Sequence, residues 1–209
     1  MEKRNLAKLL LLTIAAFCTN TAFGAEAELL LGTEAPLTVS IEKSASSIES
    51  ATIDATDGVN KGTALQSVFT LQTNGTDDDY DIIMTSSVAI SGGTTSGYAY
   101  LGGQPVMMFT NSGNLATESD ISNLRSGGTK NCNVIAYPIT ITTPSPMTSQ
   151  YYADYSTYGE CIVIKLNGGT SGNIKQTVGA TPVVNTYRIG QDTAGTYRAT
   201  VTISAYAKI

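Results

Sequence analysis

The chain has 209 residues, of which 42% are hydrophobic and 14% charged, and it contains neither histidine nor tryptophan. Without histidine there is no Ser-His-Asp triad, no Cys-His dyad, no imidazole metal site and no general base poised near neutral pH. Twelve basic residues against 17 acidic ones give a net charge of −5, which argues against a nucleic-acid binder. With the surface left to Ser, Thr and Gly, the composition suits a sheet protein of one domain with uncharged polar outer faces.

The segment from Met1 to Gly24 reads as a secretory leader. Lys3, Arg4 and Lys8 make a basic start, Leu9 to Phe17 is an apolar run, and Ala22-Phe23-Gly24 offers small residues for cleavage after Gly24. The run is too short to span a bilayer. Lipoprotein processing at Cys18 is a weaker rival, because bulky Phe17 precedes the cysteine. Cleavage leaves a mature chain that begins at Ala25. The leader holds three of the 12 basic residues and one of the 17 acidic ones, so the mature charge is 9 − 16 = −7. Cys132 and Cys161 remain, and an even pair in an exported chain is expected to form one disulfide. Closing a loop of that size would contribute roughly 3 kcal/mol. No second apolar run reaches membrane length.

From Ala25 the sequence reads AEAELLLGTEAPLTVSI. Odd positions from Ala25 to Ile41 are mostly apolar, and even positions include Glu26, Glu28, Gly32, Glu34 and Ser40, with Leu30 the exception. Alternation over about 17 residues would extend about 57 Å, roughly three times an ordinary strand. The excess predicts an arm over residues 25–36 that pairs outside its own domain, followed by a domain over 37–209. An ordinary first strand is the competing explanation for Leu29 to Leu31.

Further along, Phe69–Leu71 and Tyr80–Met84 flank Asn74-Gly75-Thr76-Asp77-Asp78-Asp79, the signature of a hairpin. The carboxylates of Asp77, Asp78, Asp79 and Asp81 suit a solvated tip better than a calcium site, since no EF-hand spacing is present. Asn74-Gly75-Thr76 also spells a glycosylation sequon, but turn chemistry accounts for the same residues. Tyr98–Leu101, Val106–Phe109, Val134–Thr142, Ile162–Leu166 and Val183–Ile189 are further strand candidates, punctuated by Gly-Gly pairs at 92–93, 102–103, 127–128 and 168–169. Thr117 to Leu124 suits one short helical turn. Residues 112–130 and 143–159 read as loops. The second carries Tyr151, Tyr152, Tyr155 and Tyr158, candidate contacts to a host receptor or a neighbouring subunit, or simply to the chain's own domain. The pattern as a whole predicts an antiparallel β-sandwich.

The C-terminal segment from Gly195, GTYRATVTISAYAKI, alternates without a slip: Tyr197, Ala199, Val201, Ile203, Ala205, Ala207 and Ile209 against Arg198, Thr200, Thr202, Ser204, Tyr206 and Lys208. A continuous strand opened by Gly195 is expected, and it is an edge hazard unless something covers it. Taken alone, Gly195 is also explained as a turn glycine.

Leader, alternating arm, Gly195 shortly before the C-terminus, and closing strand together resemble the subunits of chaperone-usher pili, broadly of the enterobacterial colonisation-factor type. The resemblance implies an all-β fold: an incomplete immunoglobulin-like antiparallel sandwich, completed first by a periplasmic chaperone and then by the arm of the next subunit. It implies a structural fimbrial subunit, exported through the periplasm to the cell surface and polymerised by donor-strand exchange into pili used for adhesion. Donor residues would be Ala27, Leu29, Leu31 and Gly32, and the closing strand would use Gly195, Tyr197, Val201, Ile203 and Ile209. The implied partners are copies of itself or related pilins in a head-to-tail filament, a periplasmic chaperone, an outer-membrane usher and a host surface receptor. Where the family often has a penultimate tyrosine, this chain has Lys208. A self-complete secreted sandwich, acting as an adhesin or tip subunit, is the alternative. Neither enzymatic chemistry, a metal nor a cofactor is expected.

Overall fold

The computed structural model describes residues 36–53, 60–61, 64–127, 133–181 and 193–208. The leader, the arm residues Ala27, Leu29, Leu31 and Gly32, Cys132, the strand expected over Val183–Ile189 and Ile209 lie outside the described residues.

Fourteen strands and one helix are described: β1 (Val39–Lys43), β2 (Thr52–Ile53), β3 (Asn60–Lys61), β4 (Gln66–Thr73), β5 (Tyr80–Ile90), β6 (Gly93–Ser96), β7 (Tyr98–Leu101), β8 (Gln104–Asn111), α1 (Glu118–Arg125), β9 (Val134–Thr142), β10 (Thr148–Tyr152), β11 (Cys161–Lys165), β12 (Ser171–Val178), β13 (Tyr197–Arg198) and β14 (Thr200–Ala207). One sheet runs β1-β4-β12-β9-β8-β13, with β7 also on β8, and the other runs β10-β11-β5-β14, with β6 on β5. Strands β2 and β3 pair separately, and every ladder is antiparallel. The expectation of an antiparallel all-β chain is met.

The main core fills the space between the sheets with Leu71, Ile82, Met84, Tyr98, Met107, Phe109, Ile135, Ile162, Ile164, Ile174 and Ile203. A second cluster lies under α1, where Val106, Met108, Val134 and Ala136 meet Ile121 and Leu124. Strands β8 and β9 are therefore buried on both faces, which is why they read as continuous apolar runs. Thr117 caps α1: Asp120 N–H donates to its hydroxyl at 3.2 Å, and Thr117 N–H donates to the Asp120 carboxylate at 2.7 Å. Arg125 in the last turn donates to Glu160 at 2.6 Å and to the carbonyl of Tyr98 at 2.7 Å, tying the helix to both β7 and the start of β11.

Three expectations need correction. Asn74 to Asp79 is not a hairpin tip, because β4 and β5 belong to different sheets. Side chains hold the crossover in place of a ladder. Asn74 accepts from Thr38 N–H at 2.7 Å and donates to Pro36 O at 2.9 Å, and the Asp77 carboxylate accepts from Leu166 and Asn167 N–H at 2.8 and 2.9 Å. Residues 143–159 are not all loop, since they contain β10. The closing segment is not one unbroken strand: Tyr197 and Arg198 pair with β8, the ladder stops at Ala199, and Thr200 onward pairs with β5 in the other sheet.

Strand β12 is central, between β4 and β9, although it is mostly polar. Its Gln176 is fully buried, accepting the Tyr98 hydroxyl and donating to Met107 Sδ at 3.0 Å. Burial pushes the Tyr98 hydroxyl far above its ordinary range, so it stays a donor. Replacing Gln176 by Leu strands that hydroxyl and is expected to cost about 1–3 kcal/mol in chemical denaturation, with most of the loss recovered in the Tyr98→Phe, Gln176→Leu double variant. An additive double variant would show that the two side chains do not act as a pair.

Candidate functional site: an open groove between two edge strands

Among the described residues, strands β1 and β14 end their respective sheets, each with a single ladder, and they approach one another along one side of the sandwich. Among the described residues, no second strand pairs with the other side of either one. Val39 and Ile41 of β1 and Val201 and Ala205 of β14 pack half-buried on the main core, and Ile203 is buried in it. The seam between the strands is apolar inside.

A cavity of about 640 Å³ opens at the end of this seam where β1 finishes and β14 begins. Residues of the segment from Lys43 to Ala51 contribute one wall and those from Thr196 to Val201 another, and Leu65, Phe69, Met107, Phe109 and Val178 supply apolar lining. Lys43 is ion-paired with Glu49, and Arg198 is exposed at the opposite wall. Chemically, an apolar cleft beside a sheet edge can accept an extended strand through main-chain bonds and alternate side chains.

Both ends of the closing segment are fastened. At its start, Asn111 is buried and donates to Thr193 O and Ala194 O at 3.2 and 3.3 Å, while its side-chain oxygen accepts from Gly113 and Asn114 N–H at 2.9 and 3.0 Å. The Tyr197 hydroxyl turns back to Thr193 O at 2.8 Å. Gly195 has φ +145°, and a Cβ there would sit 2.9 Å from the Asn111 amide nitrogen, so both conformation and space require glycine. At the far end, Lys208 N–H donates to Asp79 O at 2.8 Å, and its ammonium pairs with Asp81 at 3.2 Å and donates to Asp77 O. Burial pulls the Lys208 ammonium down, but the hydrogen bond and charge of Asp81 outweigh it and hold it above its usual range. The acidic turn thus uses its carboxylates as fasteners: Asp77 on the β11–β12 connection, Asp79 on Thr76 N–H at 2.7 Å, and Asp81 on Lys208. Among the described residues, no group of three or more Asp, Glu or Cys is arranged to hold a metal.

The four tyrosines of 151–158 do not act together. Tyr152, Tyr155 and Tyr158 continue to Tyr206 as a row of rings with centroids 4.8, 6.1 and 4.6 Å apart, lying over Ile83, Cys161 and Val163. Tyr151 instead packs on the main core, donates to Glu160 and stacks on Tyr100 at 5.7 Å. The row packs on the chain's own domain while staying partly exposed, with Tyr206 the most open of its rings at 42% exposure. The expected Cys132–Cys161 bridge is not made in this structure: Cys161 is a free, buried thiol, and Cys132 lies outside the described residues. Under the tyrosine row Cys161 behaves as a small apolar side chain, its thiol pushed up to about 11 by burial and then by the nearby charges of Asp81 and Glu160.

Of the residues expected in one closing strand, Val201 and Ile203 lie on β14, whereas Tyr197 lies on β13 in the other sheet and Gly195 precedes it outside any strand. The wall from Ser47 to Ala51, together with Leu65 and Phe69, is not legible in the sequence as part of a site. The only signal there is isolated large apolar residues, Ile48 and Leu65, set among Ser and Ala. Gly195→Ala is expected to cost about 1–3 kcal/mol, read from the midpoint of thermal or urea unfolding. An unchanged midpoint would mean that the turn before Tyr197 relaxes freely.

No protein-family model, curated protein or solved structure matches this chain.

Proposed function

We propose that the chain is a structural subunit of a surface fibre, a fimbrial subunit of the chaperone-usher kind that polymerises by donor-strand exchange. The observation that carries this is that, among the described residues, β1 and β14 each end a sheet beside a cleft with apolar lining. In this reading the fold is an incomplete immunoglobulin-like sandwich. Strands β1, β4, β12 and β9 take the places of A, B, E and D in one sheet, and β5 and β14 take those of C and F in the other. The place beside β14 is that of the seventh strand, G, and among the described residues no strand occupies it.

The arm over residues 25–36 supplies that strand to the next subunit. Its Leu29 and Leu31 contribute about 1.5–3 kcal/mol each on burial, and backbone ladder bonds give direction. The contact is heterologous, so it propagates head to tail rather than closing a dimer. Asn74 fixes the point of departure, since its clamp on Pro36 and Thr38 anchors the chain where the arm begins. A periplasmic chaperone would occupy the cleft before assembly and an outer-membrane usher would release the subunit to the surface, where the fibre serves adhesion. Residues 1–24, ahead of the arm, act as the export leader and are removed after Gly24.

Deleting Ala25–Ala35 is expected to abolish polymer while leaving capture by the chaperone intact, measured as surface polymer and as chaperone-bound subunit in periplasmic extracts. Filaments formed by the truncated chain would overturn the assignment of the arm.

A further inference from the structure

The sequence contains two Asn-Gly steps, Asn74-Gly75 and Asn167-Gly168. Such a step can undergo a reaction that needs only water. The glycine nitrogen gives up its proton and attacks the side-chain carbonyl carbon of the asparagine. The new C–N bond closes a succinimide ring, and the amide nitrogen leaves as ammonia with that proton. Water then opens the ring at either carbonyl, leaving aspartate or an isoaspartate whose main chain runs through the side-chain carbon. One water is consumed and one ammonia released. The reaction requires a main-chain N–H free to ionise and room for the ring beside it.

The fold treats the two steps differently. Gly75 is buried, its N–H donates to the Thr73 hydroxyl at 3.0 Å, and a Cβ there would stand 2.5 Å from the Tyr80 ring. Both ends of the Asn74 amide are engaged: it accepts from Thr38 N–H at 2.7 Å and donates to Pro36 O at 2.9 Å. Asn167 and Gly168 are instead exposed, at the centre of a turn closed by Gly169 N–H on Leu166 O at 2.7 Å. Their φ angles of 50° and 84° are both positive, as a type I′ turn requires. Among the described residues, Gly168 N–H has no acceptor and the Asn167 side-chain oxygen no donor. A Cβ on Gly168 would meet nothing within 4 Å.

We infer that Asn167-Gly168 is a site of spontaneous deamidation in the folded chain, that the fold protects Asn74-Gly75 from the same reaction, and that conversion of Asn167 loosens the clamp of Asp77 on the β11–β12 connection. That clamp consists of the Leu166 and Asn167 N–H groups on the Asp77 carboxylate at 2.8 and 2.9 Å. Asp77 O in turn accepts the Lys208 ammonium at the end of the closing segment. Conversion places a second carboxylate on the very residue whose N–H holds the first, and like charges at that range repel. It also removes the Asn167 Nδ2 donor from Pro146 O and the Thr148 hydroxyl, now at 3.1 and 3.0 Å. The isoaspartate form further lengthens the turn by one main-chain carbon.

The test incubates the purified full chain in mildly alkaline buffer, folded and in denaturant, and follows each step by peptide mass mapping and by isoaspartate-specific methylation. In denaturant the two steps are expected to convert at similar rates. In the folded chain Asn167 is expected to convert about ten-fold faster than Asn74, the scale of one amide hydrogen bond that must break before attack. Equal rates in the folded chain, or no conversion of Asn167 until the chain unfolds, overturn the site. The consequence is read separately in Asn167→Asp, which is expected to lower the thermal midpoint by about 2–4 °C. In an Asp77→Ala background the same substitution is expected to have little further effect, because the clamp is already gone. An unchanged midpoint in Asn167→Asp, or losses that simply add in the double variant, overturns the link to Asp77.

Discussion

A strand at the end of a sheet has hydrogen-bonding groups on its free side that only water or another strand can satisfy. Among the described residues two such strands, β1 and β14, end two sheets on the same side of the sandwich. The rest of the described structure serves to keep that seam in shape. Asn111 and Gly195 set the direction in which the closing segment leaves β8, and the break at Ala199 delivers it to β5. Lys208 holds its far end on the acidic turn. These fasteners hold both ends of the closing segment against local fraying.

Polar side chains do much of this fastening, which explains how so sparsely charged a chain keeps long connections in order. Asn74, Asn111 and Asp77 each bond to backbone groups from other parts of the chain and so replace ladder bonds at sheet-to-sheet crossings. The nearly buried Glu160 joins Arg125 of the helix to Tyr151 of β10. These are interactions between distant residues, and none leaves a local pattern in the sequence.

That difference separates what is legible in the sequence from what is not. The alternation of the closing segment, the doubly apolar runs of β8 and β9 and the cap at Thr117 are local, and each can be read directly. Strand β12 cannot, because the buried Gln176 occupies an inward position and spoils its period, while the strand derives its place from neighbours on both sides. The Asn-Gly step before the acidic turn misleads. In this chain the asparagine serves as a clamp for Pro36 and Thr38, and the glycine makes room for the Tyr80 ring, 2.5 Å from where its Cβ would stand. The site is half legible. Its closing strand announces itself by period, but its other wall, from Lys43 to Ala51, joins it only through the pairing of β1 with β4. The cysteine count suggests Cys161 as half of a crosslink, whereas the thiol packs as a hydrophobe beneath aromatic rings.

The row of rings from Tyr152 to Tyr206 has an optical consequence. A chain without tryptophan owes its near-ultraviolet signal chiefly to tyrosine, and closely spaced rings held in a fixed, chiral arrangement contribute most to its dichroism. Tyr206 is carried by β14, whereas its three companions belong to β10 and the segment that follows it. The closing strand therefore carries a built-in chromophore whose coupling to its neighbours depends on where that strand lies. Near-ultraviolet dichroism reports fixed packing rather than secondary structure, so a shift of β14 relative to the tyrosine row would register there while the strand content stayed constant.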